Sequence, residues 1–110
     1  MAYDLHGLFL RVNRQLRAVP GLSLEQLADA IKVERHTIEK CVRMVTGRTF
    51  RELRTNILLE QARDMLGSNP NQTIKEVAFQ LGYRSQRSFS RFIKASAGCS
   101  PKEFRQMKVS

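Results

Sequence analysis

Two segments of this 110-residue chain carry side chains able to hydrogen-bond to the edges of nucleic-acid bases. In the first segment, Lys40 can donate to guanine and Glu39 can accept from the amino group of cytosine. In the second segment, Gln86 suits adenine and Arg87 suits guanine, each through two hydrogen bonds. These residue types therefore indicate a surface that could bind a polyanion and distinguish its bases.

The charge of the chain favours the same chemistry, because 19 lysines and arginines outnumber 10 acidic residues and give a formal net charge of +9. This balance favours a polyanionic partner, with nucleic acid first and an anionic membrane surface second. The segment from Tyr83 to Ala97 holds four basic residues and no acid. A basic face that meets only solvent is the alternative interpretation of this segment.

The other reactive residues do not have the spacing that catalysis or metal binding requires. Cys41 and Cys99 lack metal-ligand spacing, and His6 and His36 do not complete a cluster. We find no nucleophile–base pair and no phosphate-binding loop, so we expect neither an enzyme nor a cofactor. The chain has no membrane-spanning apolar run and no signal-peptide core, and its two thiols suit a reducing compartment, so we predict a cytoplasmic protein.

Helices must position these side chains, because apolar residues recur along the chain at helical spacing. Seven helices are predicted and no alternating strand pattern is present, so the predicted fold class is all-α. The predicted helices cover residues 5–19, 24–31, 35–45, 50–66, 74–81, 85–97 and a short stretch from 101. The predicted capping boxes are Ser23 with Gln26, Thr49 with Glu52, and Thr73 with Glu76. The predicted helix stops are Pro20–Gly21, Gly47, the stretch 67–71, and Gly98.

One pattern occurs twice in the chain, at an interval of about 50 residues. Each copy has a capped helix, a second helix and the tail Gly–x–Ser/Thr–x–x–Glu–Leu/Phe–Arg. The matching pairs include Ser23 with Thr73, Ala28 with Ala78, Gly47 with Gly98, and Arg54 with Arg105. The duplication makes a chance arrangement of helical hairpins a weaker interpretation than a repeated functional unit.

Residue sizes within each copy fit a helix-turn-helix. Alanine lies at the fifth position of each first helix, where two closely crossing helices need a small residue. The ninth position begins the turn and favours a residue that tolerates positive φ, which Gly82 satisfies better than Lys32. Ile38 anchors the second helix at position fifteen and Phe89 does so at position sixteen, so the second copy has one extra residue near its turn.

With these motifs, the sequence resembles the DNA-binding domain of the AraC/XylS family of bacterial transcriptional regulators, from about Leu8 to Gln106. Its second half carries the most specific matches, which are Ile74, Glu76, Val77, Ala78, Phe79, Leu81, Gly82, Tyr83, Ser85, Gln86, Phe89, Ser90, Arg91, Lys94, Gly98, Ser100, Pro101, Phe104 and Arg105. The departures are Lys32 at the turn and Ile93 where an aromatic residue is common. The resemblance implies one domain over 1–110, made of a first helix-turn-helix subdomain (3–48), a linker helix (49–67) and a second helix-turn-helix subdomain (73–107).

The resemblance also implies which side chains contact DNA, because the early exposed residues of each second helix enter the major groove. The expected base-reading residues are His36, Glu39, Lys40, Gln86, Arg87 and Arg91. The expected contacts with the DNA backbone are Arg35, Arg43, Arg48, Arg51, Lys75, Arg84, Ser90, Lys94 and Lys102, together with backbone N–H groups at the helices capped by Thr49, Thr73 and Ser100. Alternatives stay open for several residues. They are an intrahelical ion pair for Glu39, a surface position or a phosphate contact for His36, a backbone contact or intramolecular pairing for Arg91, and a solvated surface charge for any single lysine.

The expected function is sequence-specific binding of double-stranded DNA at an asymmetric promoter site. A linker helix about 27 Å long would hold two recognition helices about one DNA turn, roughly 34 Å, apart, and a rigid spacer favours DNA bending. Family resemblance implies an activator with RNA polymerase as a further partner, and no segment matches an effector or dimerisation domain. The alternatives are an architectural nucleic-acid binder without sequence preference and a helical module with an acidic protein partner.

Overall fold

The computed structural model describes residues 4–19, 21–68 and 71–106. Within these ranges the chain forms seven α-helices and no strand, which confirms the all-α prediction. The helices are α1 (Leu5–Ala18), α2 (Leu24–Ile31), α3 (Arg35–Thr46), α4 (Phe50–Ser68), α5 (Ile74–Gln80), α6 (Gln86–Ala97) and α7 (Pro101–Gln106). Pro20, Asn69 and Pro70, which were predicted to end helices, lie outside the described residues.

Local capping chemistry begins the helices at the predicted places. The Ser23 hydroxyl accepts from the Gln26 N–H at 3.1 Å, and the Gln26 side chain accepts from the Ser23 N–H at 2.9 Å. The same reciprocal pairs form in the other two predicted boxes, Thr49 with Glu52 and Thr73 with Glu76. A fourth box, Ser100 with Glu103, begins α7 and was not predicted.

Helix ends differ slightly from the predictions. α3 continues to Thr46 rather than Val45, and Gly47 then takes a left-handed conformation as predicted, with φ of 73°. Ser85 was predicted to be the first residue of α6, but it is the N-cap, and its hydroxyl accepts from the Ser88 N–H at 3.1 Å. A serine in this position satisfies a backbone N–H group that the helix itself leaves without a partner.

The chain divides into a first unit that ends at Ile57 and a second unit that begins at Leu58. The boundary falls inside α4, so this helix supplies apolar residues to the core of each unit. The buried core of the first unit contains Leu8, Val12, Leu16, Leu27, Ile31, Val33, Ile38, Cys41, Val42, Phe50 and Ile57. The buried core of the second unit contains Ala62, Leu66, Val77, Ala78, Leu81, Phe89, Ile93 and Phe104. The finer subdivision predicted from the sequence stays a prediction.

The turn of the first unit places a lysine in a left-handed conformation. Lys32 has φ of 59° and is the only residue other than glycine with positive φ in the described ranges. The Val33 N–H donates back to the Ala28 carbonyl at 3.2 Å, and the Val33 side chain is buried. Arg11 of α1 donates to the Ile31 carbonyl at 2.7 Å, which ties the first helix to this turn.

The turn of the second unit uses glycine for the same geometry. Gly82 has φ of 91°, and its N–H donates to the Phe79 carbonyl at 3.0 Å. The Tyr83 N–H donates to the Ala78 carbonyl at 3.0 Å, so the two bonds form a Schellman motif. Only Val33 separates the left-handed residue from the N-cap in the first unit, whereas Tyr83 and Arg84 separate them in the second. The predicted extra residue near the second turn is therefore confirmed.

Candidate nucleic-acid interface

α3 presents a polar face because its apolar residues fix the opposite face in the core of the first unit. Ile38, Cys41 and Val42 are fully buried, and the Cys41 thiol donates to the Leu5 carbonyl at 3.3 Å. Burial raises the pKa of this thiol, which therefore stays protonated and acts as a core residue. The predicted contact residues on α3 are all exposed, and they are Arg35, His36, Glu39, Lys40 and Arg43.

One ion pair and one histidine–carboxylate contact hold side chains at the beginning of α3. The Arg35 guanidinium lies 3.2 Å from the Glu25 carboxylate of α2, and His36 Nε2 lies 3.3 Å from the Glu34 carboxylate. Arg35 thus pairs across the turn rather than with Glu39 on its own helix. All four side chains are largely exposed, so these pairs orient the groups and contribute little to stability.

α6 presents the corresponding face of the second unit. Phe89 and Ile93 are fully buried, and the Phe89 ring lies 5.4 Å from the ring of Tyr83, which follows the turn. The Tyr83 ring also lies 5.7 Å from the half-buried Phe92 ring. Tyr83 therefore packs against two aromatic side chains of α6. The predicted contact residues Gln86, Arg87, Arg91 and Lys94 are exposed, and Ser90 is half-buried.

The two predicted recognition helices, α3 and α6, share one register. Residues 51 positions apart are equivalent, so the buried Ile38 and Val42 correspond to Phe89 and Ile93. The other equivalent pairs are Arg35 with Gln86, His36 with Arg87, Glu39 with Ser90, Lys40 with Arg91, and Arg43 with Lys94. Two of these pairs join predicted base-reading residues of both helices, His36 with Arg87 and Lys40 with Arg91.

The recognition helices differ in the charge at their N-termini. The N-cap of α3 is Glu34, whereas the N-cap of α6 is the neutral Ser85, preceded by Arg84. A helix N-terminus carries partial positive charge and attracts anions. The carboxylate of Glu34 offsets that charge in the first unit, so the N-terminus of α6 is the more electropositive of the two.

The predicted phosphate-binding side chains are exposed on both units, and they are Arg48, Arg51, Lys75, Arg84, Lys94 and Lys102. The hydroxyls of Thr49, Thr73 and Ser100 each accept a hydrogen bond within the capping box. The backbone N–H groups of the same three residues donate to the box glutamates, so the predicted phosphate contacts through backbone N–H groups would use the other N–H groups of each first turn. The glutamates of the three boxes accept hydrogen bonds from their N-cap residues. These bonds hold the pKa of Glu52, Glu76 and Glu103 below the ordinary value, and the bond from the backbone N–H has the largest effect.

Two arginines that the sequence analysis matched only as part of the repeated tail make long-range hydrogen bonds. Arg54 donates to two backbone carbonyls before α2, and Arg105 donates to carbonyls near the end of α4 and before α5. The sequence did indicate that the two arginines are equivalent, because Arg54 and Arg105 occupy the same place in the two tails. Their partners lie more than 30 residues away in sequence, so the pattern did not reveal them.

An open cleft of about 550 Å³ lies beside the turn of the first unit, and its lining includes Lys32, His36 and Glu39. In the described part of the chain no three histidine, cysteine, aspartate or glutamate side chains are grouped as metal binding requires. None of the helices in the described ranges is long and apolar enough to cross a bilayer.

Comparison with known proteins identifies the fold and the family. A profile of the helix-turn-helix domain family matches residues 27–107. The xylose operon regulatory protein of Escherichia coli (strain K12) is 30% identical over 90 residues, which are 82% of this chain and 23% of that protein. This chain therefore spans less than a quarter of the length of that relative.

Solved structures show the same architecture. The C-terminal domain of AraT, a response regulator from Geobacillus stearothermophilus, is similar with a TM-score of 0.82 and 26% identity, over 98% of this chain and 91% of that one. The DNA-binding domain of AdpA, a global transcriptional factor solved in complex with a target DNA, has a TM-score of 0.72 and 22% identity, over 96% and 92% of the two chains. Together with the two helix-turn-helix units, these matches show that the chain belongs to the AraC/XylS family and is an AraC-type DNA-binding domain of a transcription regulator.

Proposed function

We propose that this chain binds double-stranded DNA sequence-specifically, with α3 and α6 inserted into successive major-groove segments of an asymmetric promoter site. The observation that carries the proposal is the common register of the two helices, which bury equivalent positions and present polar residues at equivalent positions. The two faces carry different residues, so a single chain would bind two unlike half-sites. A palindromic site, which symmetric dimers of identical reading units require, is not expected.

The chemistry of each face supports a different preference. In the second unit, Gln86 suits adenine, and Arg87 and Arg91 suit guanine through two hydrogen bonds each. In the first unit, Lys40 can donate to guanine, and Glu39 can accept from the amino group of cytosine. The exposed lysines and arginines around both faces would supply the phosphate contacts that set orientation and cause salt dependence.

Activation of transcription is proposed on the family resemblance alone, with RNA polymerase as a further partner. A bound regulator can recruit the polymerase when its site lies beside the promoter, and it can block the polymerase when the sites overlap. A reporter gene behind the selected site distinguishes the two. Transcription that rises when the chain is expressed supports activation, and transcription that falls supports repression.

Selection from random duplex DNA tests the binding proposal, followed by affinities of the enriched sequences across a salt series. We expect an asymmetric site with two unlike half-motifs. Arg87→Ala and Lys40→Ala should each reduce discrimination in one half only, by about 1–3 kcal/mol at one base pair. Arg14→Ala is the matched control, since it removes the same charge from the exposed surface of α1 and should leave both motifs intact.

Two other outcomes replace the proposal with a named alternative. Salt-sensitive binding without any enriched motif would indicate an architectural nucleic-acid binder. An absence of duplex binding at physiological salt would indicate that the basic faces meet an acidic protein partner.

A further inference from the structure

We propose that Arg54 and Arg105 are positioning residues, each of which fixes the recognition helix of its own unit for base reading. This inference rests on the proposed function, since it concerns how α3 and α6 are held for contact with DNA. It concerns two arginines that face the protein backbone rather than the predicted DNA-binding surface.

Arg54 joins α4 to the segment that leads into α2. Its Nε donates to the Leu22 carbonyl at 2.9 Å, and one terminal nitrogen donates to the Gly21 carbonyl at 2.9 Å. Arg54 is half-buried, and Leu22 immediately precedes Ser23, the N-cap of α2. The guanidinium therefore fixes the point at which the helix-turn-helix of the first unit begins.

Arg105 makes the equivalent connection in the second unit. Its Nε donates to the Leu66 carbonyl at 3.0 Å, and a terminal nitrogen donates to the Gln72 carbonyl. Gln72 immediately precedes Thr73, the N-cap of α5. Leu66 lies in the last turn of α4, where helical carbonyls have no partner within the helix, so Arg105 also satisfies one of these groups.

Each guanidinium makes a fork of two hydrogen bonds. The bond from Arg54 to Leu22 and the bond from Arg105 to Gln72 close equivalent rings of the chain, whereas the second bond of the fork goes to Gly21 in the first unit and to Leu66 of α4 in the second. In each ring the chain runs from an N-cap through the helix-turn-helix, crosses a three-residue connection beginning with Gly47 or Gly98, and enters the helix that carries the arginine. The fork then returns to the carbonyl just before the N-cap. A recognition helix inside such a closed ring has less freedom to change its angle than one held by apolar packing alone.

Arginine suits this role better than lysine. The planar guanidinium holds several N–H donors in a fixed geometry, so it can address two carbonyls in different directions at once. Lysine has a single flexible ammonium group that acts as a point charge. An arginine-to-lysine substitution therefore keeps the charge, and with it the general attraction to DNA, but loses the fixed two-carbonyl geometry.

The test uses Arg54→Lys and Arg105→Lys in the full chain, with affinities for the selected site and for single-base mismatches across both halves. We expect Arg54→Lys to lower the preference for matched over mismatched bases about tenfold in the half bound by α3, with little change in the other half. Arg105→Lys should do the reverse. Salt dependence should stay unchanged in both variants, because the charge is retained.

Half-selective loss of discrimination in a variant whose unit keeps its wild-type amide hydrogen-exchange protection is a readout that loss of stability, general or confined to one unit, would not produce. Arg14→Lys is the matched control, an exposed arginine on α1 that should leave both halves unchanged. If Arg54→Lys does not fold by circular dichroism, Arg54→Gln, which keeps an N–H donor, takes its place and should show a half-selective loss as well. Equal loss in both halves, no loss in either, or failure of both variants to fold would overturn the positioning role.

The proposed function and this inference fail in different ways. A wild-type chain that enriches no DNA sequence removes the proposed function itself. A wild-type chain that enriches an asymmetric site, together with lysine variants that keep full discrimination, removes only the role given to Arg54 and Arg105.

Discussion

The turns of the two units reach the same backbone geometry with different residues. Lys32 and Gly82 both have positive φ, and the residue after each donates to the alanine carbonyl five positions earlier. Glycine adopts this conformation without steric cost, whereas a residue with a side chain loses about 1–2 kcal/mol. Neighbouring contacts therefore hold the turn of the first unit against this cost. They are the hydrogen bond from Arg11 to the Ile31 carbonyl and the burial of the Val33 side chain.

The second difference between the units follows from the extra residue after the turn. In the second unit the chain has room for Tyr83 to pack on Phe89 and for Ser85 to cap α6. In the first unit Glu34 occupies the N-cap of α3 and makes no side-chain cap hydrogen bond. The repeat thus preserves backbone geometry and buried positions, while the residues at the turn and the cap vary around it.

The largest expected effect tests whether each unit depends on its own core. Phe89→Ala should lower the free energy of unfolding of the second unit by about 3–5 kcal/mol, because a fully buried ring is lost. The first unit should keep its stability, since Phe89 is absent from its core cluster. Residue-resolved amide hydrogen exchange separates the two units.

Phe79→Ala is the matched control for this measurement. Phe79 lies in the same unit but is 49% exposed, so its removal should change the free energy of unfolding by about 0.5 kcal/mol or less. Equal loss of protection in both units on Phe89→Ala would show that they unfold together, and the comparison of separate cores would fail.

Exchanging the turn residues gives the next effect. Gly82→Lys should lower the free energy of unfolding by about 1–3 kcal/mol, because φ of 91° lies outside the conformations that lysine adopts easily. Lys32→Gly should raise it by about 0.5 kcal/mol, since relief of strain exceeds the entropic cost of glycine. Urea denaturation measures both, and a stabilising Gly82→Lys would contradict the argument.

A third prediction concerns the caps of the recognition helices. Ser85→Ala should lower the free energy of unfolding by about 1 kcal/mol, because the Ser88 N–H loses its acceptor. Glu34→Ser should raise it by up to about 1 kcal/mol, since it supplies α3 with the missing cap, less the small contribution of the exposed contact between Glu34 and His36. The measurement is urea denaturation of both variants, and a loss of stability in Glu34→Ser would show that the contact between Glu34 and His36 matters more than the cap.

Local chemistry explains why so much of the fold was predictable. Capping boxes such as Ser23 with Gln26 and Thr73 with Glu76 depend on residues three apart, and apolar spacing identifies the buried residues of each helix. The same spacing is present at Ser100 with Glu103, so that box was within reach of the sequence. The exposed recognition faces followed from the burial of Ile38 and Phe89.

Features that depend on tertiary contact were not predictable. The repeat placed Lys32 at the turn, but lysine has no local preference for the left-handed conformation, and the tertiary contacts that impose it there could not be foreseen. Arg35 pairs with Glu25, ten residues earlier, rather than with a neighbour on its own helix. The carbonyl partners of Arg54 and Arg105 lie in the segments that precede the helix-turn-helix units, and only the folded chain brings them together.

The smallest predicted effect is the response of stability to acidic pH. It distinguishes the units through the N-terminal caps of α2 and α5, the first helix of each helix-turn-helix. The α2 box uses Gln26, which does not titrate, whereas the α5 box uses Glu76. Hydrogen bonds from Thr73 lower the pKa of Glu76 in the folded protein, and the bond from the Thr73 backbone N–H has the largest effect. The ionised form therefore stabilises the second unit above the ordinary glutamate pKa of about 4.3, and this contribution is lost as pH falls through the lowered value.

We therefore expect acid to weaken the α5 cap and to leave the α2 cap unchanged. Glu76→Gln should remove the acid sensitivity of α5, because the amide oxygen of Gln26 already performs the same function in α2. Gln26→Glu should give α2 the acid sensitivity it lacks.

Amide hydrogen exchange of α2 and α5 at pH 7 and near pH 3.5 measures the acid sensitivity of the two caps. Since Glu52 and Glu103 cap later helices of both units, their common response cancels when α2 is compared with α5. Equal acid sensitivity of α2 and α5 in the wild-type chain would show that charge repulsion among the many cations, rather than the cap, governs the acid response.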